Sequence, residues 1–472
     1  MSLLIKNIGH LCTMDDAGRE LRDAWVLVEG PRIRALGDGP APAAERTLDA
    51  HGALAIPGMV NTHHHLYQTF QRNVPYVQDA KLFDWLVGLY QIWRELTPED
   101  VRTSAQVGLA ELLLAGCTTV ADHFYVFPRG QSPHLLDETI EAARALGVRF
   151  HPSRGSMSRG RSQGGLPPDD VVQSPDVILE DSERVIARYH DPARFSMCRL
   201  SLAPCSPFSV TDDLLVESAK MARRHGVRLH THLAETKDEE AFCQETHGVR
   251  PLAYMEKMGW LGPDVWYAHG VWLDEGELRL MAQTGTGIAH CPVSNLRLGS
   301  GIAPVPRALA LGVPVGLAVD GSASNDASDM LHELRVCTLV HRVGTAVDAM
   351  PARTALRLAT RGSARVLGRD DIGQLAPEMA ADIALFSLDD VGLAGALHDP
   401  IAALALTTGI KRAHTVLVNG KVVVEDGRVL GFDVPALAKR GQKQAAAMIE
   451  RAGARTHIDY LARPTPSSRS SS

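Results

Sequence analysis

Short apolar runs alternate with amphipathic helical patterns through the middle of the chain, from about Gly58 to about Arg369. The apolar runs have the length of buried strands, and the stretches between them repeat hydrophobic residues at helical spacing. This alternation predicts an α/β fold, namely a (β/α)8 TIM barrel over residues 58–369. The eight runs are Ile56 to Asn61, Thr118 to Ala121, Val148 to His151, Cys198 to Ala203, Val227 to Leu233, Val265 to His269, Thr286 to Ala289 and Val313 to Val319.

Helix start and stop signals stand between these runs. The stretch Thr97 to Ala115 opens with Thr-Pro-Glu-Asp, and Gly116 follows it. The stretch Thr211 to His225 begins with Thr-Asp-Asp, and Gly226 follows it. A cap, a first-turn proline or acidic residue and a closing glycine predict the ends of helices. In such a barrel the active site lies where the strands end, so the residues after each apolar run are the first candidates for chemistry.

The two ends of the chain have a similar texture that differs from the middle. Residues 1–57 and 370–432 contain short β-rich runs interrupted by Gly, Asp and Pro, including Asn-Gly and Asp-Gly hairpin signals. We therefore expect one small, discontinuous β-sandwich domain built from both termini. Residues 433–472 are expected to form an amphipathic helix, Val434 to Ala452, and a polar tail, PTPSSRSSS, with a composition typical of disorder.

Composition narrows the class of protein and of partner. Of the 472 residues, 45% are hydrophobic and 22% are charged, as in ordinary globular proteins. Lys and Arg are dispersed, and the net charge of -7 argues against a nucleic-acid partner. Neither an export signal nor a run of about 18 apolar residues is found, so no membrane association is expected. Seven scattered cysteines without a CxxC pair indicate a reducing, cytoplasmic setting. A small molecule is the expected partner.

Histidines cluster at the ends of the predicted strands. Strand one ends in NTHHHLYQT, where alternation along an extended chain places His63 and His65 on one face. Strand five ends in RLHTHLAET, where His230 and His232 share a face and Glu235 follows them. Two imidazoles with this spacing can hold one divalent metal ion. The spacing alone does not choose between the two histidines of strand five.

The last three strands add further polar ends. Strands six, seven and eight end in His269, His290 and Asp320. Because random placement would not load one rim of a barrel in this way, these residues together predict a metal site. Three histidines and one aspartate suit zinc or iron, with one position left open for water. Glu235 would then take a proton from that water and pass it to a leaving group, and His269 would polarise the substrate.

The expected number of metal ions follows from a residue that is missing. Two-metal barrels of this kind commonly bridge their ions with a modified lysine at the end of strand four. No lysine occurs between Lys81 and Lys220, and strand four ends in LAPCSPF. We therefore expect one divalent ion per subunit, with zinc preferred and iron as the alternative.

Together these motifs resemble the amidohydrolase superfamily. HxH on strand one, HLAE on strand five, a histidine on strand six and VDG on strand eight are similar to its mononuclear deaminase branch. That branch also contains guanine, cytosine and S-adenosylhomocysteine deaminases and the triazine hydrolases. The likeness covers almost the whole chain, including PGMVNTHHH, GCTTVADH, HCPVSNLRLGSG, VDGSASND and the terminal ADIALF.

The resemblance implies roles for individual residues. In that branch the ligand of strand five precedes the glutamate as HxxE, so the implied metal ligands are His63, His65, His232 and Asp320. Glu235 matches the acid/base position and His269 the polarising position. Asp320 would also move a proton.

The resemblance further implies an oxopurine-type heterocycle as substrate. HHHLYQTFQRNVP, SRGSMSRGRSQGGLPPDDVVQ and LAPCSPFSV look like the loops of members that deaminate 8-oxoguanine. The implied reaction converts 8-oxoguanine and water to urate and ammonia. Removal of an alkylamine from hydroxyatrazine, or deamination of guanine, a pterin or S-adenosylhomocysteine, is the alternative. The remaining alternative is a scaffold protein that has the same fold but no catalytic activity.

Five residues near the strand ends are candidates for contact with such a ring. Gln68 offers an amide that donates and accepts, Arg154 would meet a carbonyl or an anionic ring, and Trp93 would form a flat wall. His123 and Cys205 end strands two and four and are expected to face the mouth. For Trp93 and Cys205, packing in the core is the alternative role.

A homo-oligomer is expected as well. The helical segment DAKLFDWLVGLYQIWREL has apolar residues on more than one face, and barrels of this kind frequently assemble.

Overall fold

The computed structural model describes residues 2–464, which form two β-sheets and the helices around them. Apart from Pro464, the predicted polar tail lies outside the described residues. The strands are β1 Ser2–Cys12, β2 Glu20–Glu29, β3 Arg32–Gly37, β4 Arg46–Asp49, β5 Leu54–Pro57, β6 Met59–Asn61, β7 Cys117–Phe124, β8 Arg149–Ser156, β9 Ser201–Pro204, β10 Arg228–Leu233, β11 Val265–His269, β12 Gly287–His290, β13 Val315–Leu317, β14 Ile383–Phe386, β15 Thr415–Val418, β16 Lys421–Glu425 and β17 Arg428–Val429.

The α-helices are α1 Leu82–Trp93, α2 Pro98–Leu114, α3 Leu135–Leu146, α4 Pro175–Tyr189, α5 Asp212–His225, α6 Lys237–His247, α7 Pro251–Lys257, α8 Glu275–Thr284, α9 Pro292–Arg297, α10 Val305–Leu311, α11 Ser322–Asn325, α12 Met330–Gly344, α13 Ala352–Arg357, α14 Ser363–Val366, α15 Pro400–Leu406 and α16 Val434–Thr456. Shorter helical turns lie at Leu66–Gln71, Pro75–Val77, Arg161–Gln163, Leu358–Gly362 and Val391–Leu393.

Strands β6 to β13 run parallel, each paired with the next, and form a barrel. The barrel closes between β13 and β6. There Thr62 N donates to the Leu317 carbonyl oxygen at 3.2 Å, and Val319 N donates to Asn61 Oδ1 at 3.0 Å. Because all eight strands are parallel, their carboxyl ends meet at one rim. The predicted (β/α)8 barrel is confirmed.

The strands of both chain ends form a second sheet of nine strands. Its order is β17-β16-β15-β14-β5-β1-β2-β3, and β4 also pairs with β1. The two ends of the chain meet where β5 pairs antiparallel with β14. The two layers of the expected β-sandwich are joined by hydrogen bonds into one sheet. The join is β1, which pairs with β4 along its first half and with β5 along its second. This sheet encloses a core of its own, which includes Ile5, Val26 and Ile383.

Gly58 divides the first predicted barrel strand between the two sheets. Ile56 belongs to β5 in the terminal sheet, and only Met59–Asn61 forms β6 in the barrel. A Cβ atom at Gly58 would lie 2.2 Å from the side chain of Thr118, so no larger residue fits at this crossing without a shift. The sequence looks like one strand here because both halves are buried.

Helix boundaries agree closely with the sequence signals. α2 begins with a capping box, in which the Thr97 side chain accepts from Asp100 N and the Asp100 side chain accepts from Thr97 N. α5 is followed by Gly226, which adopts a φ of 67°. α16 continues to Thr456, beyond the predicted end at Ala452, and packs against α1 and α2.

α1 is covered within the chain and offers no unpaired apolar face. α16 and the helical turn Pro75–Val77 pack against it, and Leu86, Tyr90 and Trp93 are buried. The sequence argument for an oligomer from this helix is therefore removed, because its second apolar face is satisfied internally. Among the helices of residues 2–464, none has both the length and the apolar character needed to cross a membrane.

A buried ion pair ties the barrel to the terminal sheet. Arg149 on β8 donates from Nε and Nη2 to the two carboxylate oxygens of Asp382 at 2.9 and 3.0 Å. The two side chains are 0% and 2% exposed. Arg149 also donates to the Ser196 carbonyl oxygen and to Asn419 Oδ1, so the guanidinium connects three segments of the chain.

Candidate metal centre and active site

The three consecutive histidines after β6 point in alternate directions. His63 and His65 face the barrel interior, and His64 points away from it. The segment is bound to β7, because His123 N donates to the His64 carbonyl oxygen at 2.7 Å. The period-2 pattern of the sequence therefore produces two histidines on one side, as an extended chain requires.

Four side chains from three strand ends meet at the rim of the barrel. His65 Nε2 lies 3.0 Å from His232 Nε2. Asp320 Oδ1 lies 3.1 Å from His63 Nε2 and 3.3 Å from His65 Nε2. All four side chains are buried. The structure thus brings together the four residues that match the ligand positions.

Hydrogen bonds on the far side of two imidazoles determine where their protons are. His65 Nδ1 lies 2.7 Å from the His123 carbonyl oxygen, and His232 Nδ1 lies 2.6 Å from the Cys205 carbonyl oxygen. A carbonyl oxygen only accepts, so both Nδ1 atoms carry the proton. In the neutral rings, both Nε2 atoms then present a lone pair.

His63 also carries its proton on Nδ1, and here the acceptor is His230. His230 Nδ1 lies 3.0 Å from the Trp266 carbonyl oxygen and donates to it, so His230 Nε2 accepts from His63 Nδ1 at 2.7 Å. His63 Nε2 is buried and has no hydrogen-bond partner among the described residues. Burial lowers the pKa of His63 and of His232 well below the usual value, which favours neutral rings.

Three lone pairs and a carboxylate oxygen therefore face one another without a proton between them. This arrangement is repulsive unless a cation occupies the space that the four atoms share. Neutral imidazoles with a backbone carbonyl on the Nδ1 side are typical ligands of a divalent transition metal. The donor set fits such an ion, with His232 in the cluster and His230 behind His63.

Asp320 is held by residues that the sequence analysis missed. Ser294 Oγ donates to Asp320 Oδ2 at 2.6 Å, and Ser324 Oγ donates to the same oxygen at 3.1 Å. Gly321 N donates to Oδ1 at 2.7 Å. The signal for Ser294 was its place in HCPVSN, a segment that follows a barrel strand at the functional rim. With both oxygens engaged, the carboxylate has a fixed orientation.

Glu235 and His269 lie beside the cluster. His269 Nε2 is 3.5 Å from Glu235 Oε2 and 4.0 Å from Asp320 Oδ2. His269 Nδ1 lies 2.9 Å from Asn295 Oδ1, which orients the ring. Burial, and then the charge of Asp320, raises the pKa of Glu235 well above the usual range. A carboxyl group that takes up a proton readily, next to a metal-type donor set, suits proton transfer.

A cavity with apolar walls opens onto these polar groups, and α1 forms its roof. Gln68 and Cys205, both predicted contacts, line it, and Gln68 Oε1 is buried without a hydrogen-bond partner in residues 2–464. Apolar walls with a few polar groups are typical of sites for small molecules. The lining residues are His65, Gln68, Leu82, Trp85, Leu86, Tyr90, Tyr125, Cys205, Phe208, His232, Glu235, His269, Leu298, Asp320 and Ser324.

Trp93 and Arg154 lie away from this cavity, contrary to expectation. Trp93 is buried among aromatic rings, and its Nε1 donates to Gln71 Oε1 at 3.2 Å. Trp85, earlier on the same helix, lines the cavity instead. Arg154 points out of the barrel, and its Nε donates to Asp181 Oδ2 on α4 at 2.5 Å. This ion pair explains why the guanidinium is buried outside the mouth.

His123 and His290 also end strands without lining the cavity. His123 stacks on His232 with ring centroids 4.9 Å apart, and its Nε2 donates to the Ala203 carbonyl oxygen at 2.8 Å. It therefore forms part of the floor beneath the cluster. His290 faces α12, where its Nε2 lies 3.1 Å from His341 Nε2.

The chain is similar in sequence to known enzymes over most of its length. An 8-oxoguanine deaminase of Pseudomonas aeruginosa is 48% identical over 434 residues, which cover 92% of this chain and 96% of that protein. A hydroxydechloroatrazine ethylaminohydrolase of a Pseudomonas species is 36% identical and covers 91% of this chain and 92% of that protein.

A solved structure resembles the whole fold. The crystal structure of an atrazine chlorohydrolase from Arthrobacter aurescens, complexed with zinc, superposes with a TM-score of 0.90 at 38% identity. The superposition covers 94% of this chain and 100% of the chlorohydrolase chain. Residues 54–423, which span the barrel and the join between β5 and the C-terminal strands, match the amidohydrolase family. With its barrel and its His/Asp cluster, the chain belongs to the amidohydrolase family of hydrolases.

Proposed function

We propose that this enzyme is a metal-dependent aminohydrolase that converts 8-oxoguanine and water to urate and ammonia. The observation that carries the proposal is the 48% identity to an 8-oxoguanine deaminase along almost the full length of both chains. The site geometry is compatible with it, since a metal-type donor set, an acid/base pair and a cavity with apolar walls lie together.

We assign the metal ligands to His63, His65, His232 and Asp320, with one ion per subunit. Zinc is the preferred ion, because the related atrazine chlorohydrolase holds zinc and three histidines with one carboxylate are ordinary zinc ligands. Iron(II) is compatible with the same donors. Metal analysis of the purified protein distinguishes the two.

The chain's own side chains divide the reaction between them. A divalent ion bound here would lower the pKa of water toward neutrality. Glu235 takes a proton from the attacking water and passes it to the exocyclic nitrogen at C2, because an amine leaves poorly until it is protonated. The C–O bond forms and the C–N bond breaks. One water proton leaves with the ammonia, and the other passes through Asp320 to the ring nitrogen N3, so that C2 becomes a carbonyl carbon. His269 lies between the two carboxylates. Because its Nδ1 donates to Asn295 Oδ1, a ring that also carries a proton on Nε2 would donate from that atom to the developing charge.

Recognition of the ring is assigned to the cavity walls. Gln68 presents an unpartnered amide oxygen, which can accept from a ring N–H. Cys205 lines the same cavity, and Trp85, Leu86 and Phe208 supply apolar surface. A site with buried polar groups rejects analogues that lack the matching donors, which favours an oxopurine over a simple aromatic ring.

A second candidate is the removal of an alkylamine from a hydroxylated triazine. It is supported by the 36% identity to a hydroxydechloroatrazine ethylaminohydrolase. Comparing kcat/KM for 8-oxoguanine, guanine, isoguanine, a pterin and hydroxyatrazine, at known metal content, decides between the two. A highest kcat/KM for hydroxyatrazine would contradict the principal proposal.

The setting of the enzyme is also proposed. All seven cysteines are free, which supports a reducing, cytoplasmic environment.

Leu339 and Val343 in the C-terminal half of α12 and Val347 just after the helix are 41%, 88% and 72% exposed, which supports a homo-oligomer that covers this apolar surface. A monomeric mass by light scattering would contradict the oligomer.

A further inference from the structure

Glu239 lies in the first turn of α6, and its carboxylate is bound to the turn that carries Glu235. Glu239 Oε1 accepts from Ala234 N at 2.9 Å, and Oε2 accepts from Glu235 N at 3.0 Å. The side chain is 1% exposed. Both oxygens are therefore engaged with two consecutive backbone amides, and one of these belongs to the residue assigned to proton transfer.

The turn itself adopts an unfavourable conformation. Ala234 has a φ of 53°, in the left-handed region, which is unfavourable for a residue with a Cβ. The carbonyl oxygens of Leu233 and Ala234 accept from Gly270 N at 3.1 Å and Trp272 N at 2.9 Å. The segment after β11 thus binds the carbonyl side of the turn, and Glu239 binds the amide side.

This contact differs from an ordinary helix cap. A glutamate at the third position of a helix usually accepts from the N-cap residue, which in α6 is Thr236. Glu239 instead accepts from the two residues before Thr236, outside the helix. Burial raises the pKa of this carboxyl group to about 7, and the two amides oppose the rise. A carboxyl group needed only to cap α6 would not have to be buried.

We propose that Glu239 is a positioning residue that holds the Ala234–Glu235 turn, so that the Glu235 carboxyl group stays within reach of His269. The proposal rests on the proposed function in one respect, namely the role of Glu235 in proton transfer. Glu239 acts through the backbone of Glu235 and takes no part in binding the metal or the ring.

The first test compares E239Q with E240Q. A glutamine at position 239 keeps one acceptor but turns an NH2 group toward the other amide, so one bond is lost. Misplacement of Glu235 should lower kcat by about 10- to 100-fold, with the KM and the metal content unchanged. Glu240 is the matched control, because it pairs with Arg250 near the surface and E240Q should leave kcat unchanged. Equal kcat values for E239Q and E240Q would overturn the proposal.

A double-mutant cycle separates positioning from a general structural defect. If Glu239 acts through Glu235, adding E239Q to E235Q should lower kcat by less than about twofold further. A full additional loss in the E235Q background would overturn the proposal. E239D, which keeps the charge but withdraws the carboxylate by one methylene, is expected to lower kcat as well and serves if E239Q does not fold.

Hydrogen exchange tests the same contact without any substrate. In E239Q, the amides of Ala234 and Glu235 should exchange faster than in the wild type, while peptides from other strands and the E240Q variant are unchanged. Unchanged exchange at this turn would overturn the proposal even in an active enzyme. Faster exchange in E239Q than in the wild type, found together with a wild-type protein that is inactive toward the whole substrate panel, would instead overturn the proposed function and leave the contact established.

Discussion

The Nε2 atoms of His65 and His232 lie 3.0 Å apart, although each ring directs its Nδ1 proton to a backbone carbonyl oxygen. Two imidazoles fixed in this way cannot bond to each other, because both present lone pairs. The carbonyl groups belong to His123 and Cys205 at the ends of β7 and β9, so the barrel itself selects the protonation state that a metal requires.

Removal of the metal should abolish activity. We expect about one equivalent of metal in the purified protein, loss of turnover on chelation and recovery with Zn²⁺. His232→Ala should lose the ion, whereas His134→Ala, at an exposed position outside the cluster, should keep it. Metal analysis alongside the assay checks this. Stoichiometric metal in the His232 variant would contradict the assigned ligands.

Glu235→Gln should separate metal binding from catalysis. The amide cannot carry a proton from water to the leaving nitrogen, so kcat should fall by about 10²- to 10⁴-fold while the metal content stays the same. Steady-state kinetics and metal analysis on one preparation measure both quantities. An unchanged kcat would exclude Glu235 as the proton carrier.

Asn295→Ala should affect His269 without touching the cluster. Loss of the 2.9 Å contact to His269 Nδ1 frees the imidazole ring, and we expect kcat to fall by about 3- to 10-fold. Asn295→Asp keeps an oxygen at this position and should lose less activity. If both variants lose the same activity, ring orientation by this oxygen is not the cause.

The stability of the protein should depend on pH through Asp122. Its carboxyl group accepts from Leu66 N, and burial raises its pKa from 3.8 to about 7. Because the folded state binds this proton more tightly, the stabilisation is complete below about 3.8 and is lost as the pH rises through about 7. Asp122→Asn removes the titration, so its stability relative to the wild type should increase over this range. Denaturation curves at several pH values measure the difference, and a constant difference would contradict the pKa shift.

Arg149→Met should destabilise the join between the two sheets. The substitution leaves the buried Asp382 carboxylate without its partner, which typically costs about 3–5 kcal/mol. Arg144→Met removes an exposed pair with Glu141 and should cost about 1 kcal/mol or less. Thermal denaturation compares the two variants. Similar losses would show that the buried pair has no special role.

The sequence predicted those features that depend on local periodicity. Alternation placed His63 and His65 on one face, and capping signals located α2 and α5, because backbone geometry determines these relationships within a few residues. The barrel followed from the order of strands and helices. The HxxE match, by resemblance, pointed to His232, which the structure places in the cluster.

Other features depend on how elements pack, which local patterns do not contain. Trp85 and Trp93 lie on one helix, and only Trp85 lines the cavity. Which of the two does so depends on how α1 packs against the barrel. Arg154 was assigned to the mouth, but its parity on β8 directs it outward to Asp181. Glu239 and Ser294 were missed because their partners are backbone amides and an aspartate that only the folded chain brings near.

The pairing of β5 with β14 has a consequence for how the molecule is made. All eight barrel strands lie between these two strands in the sequence, so β5 has no neighbour on that side until β14 has left the ribosome. This edge of β5 is therefore unpaired while the barrel is synthesised. A product truncated before β14 would keep the edge of β5 free to pair with other chains.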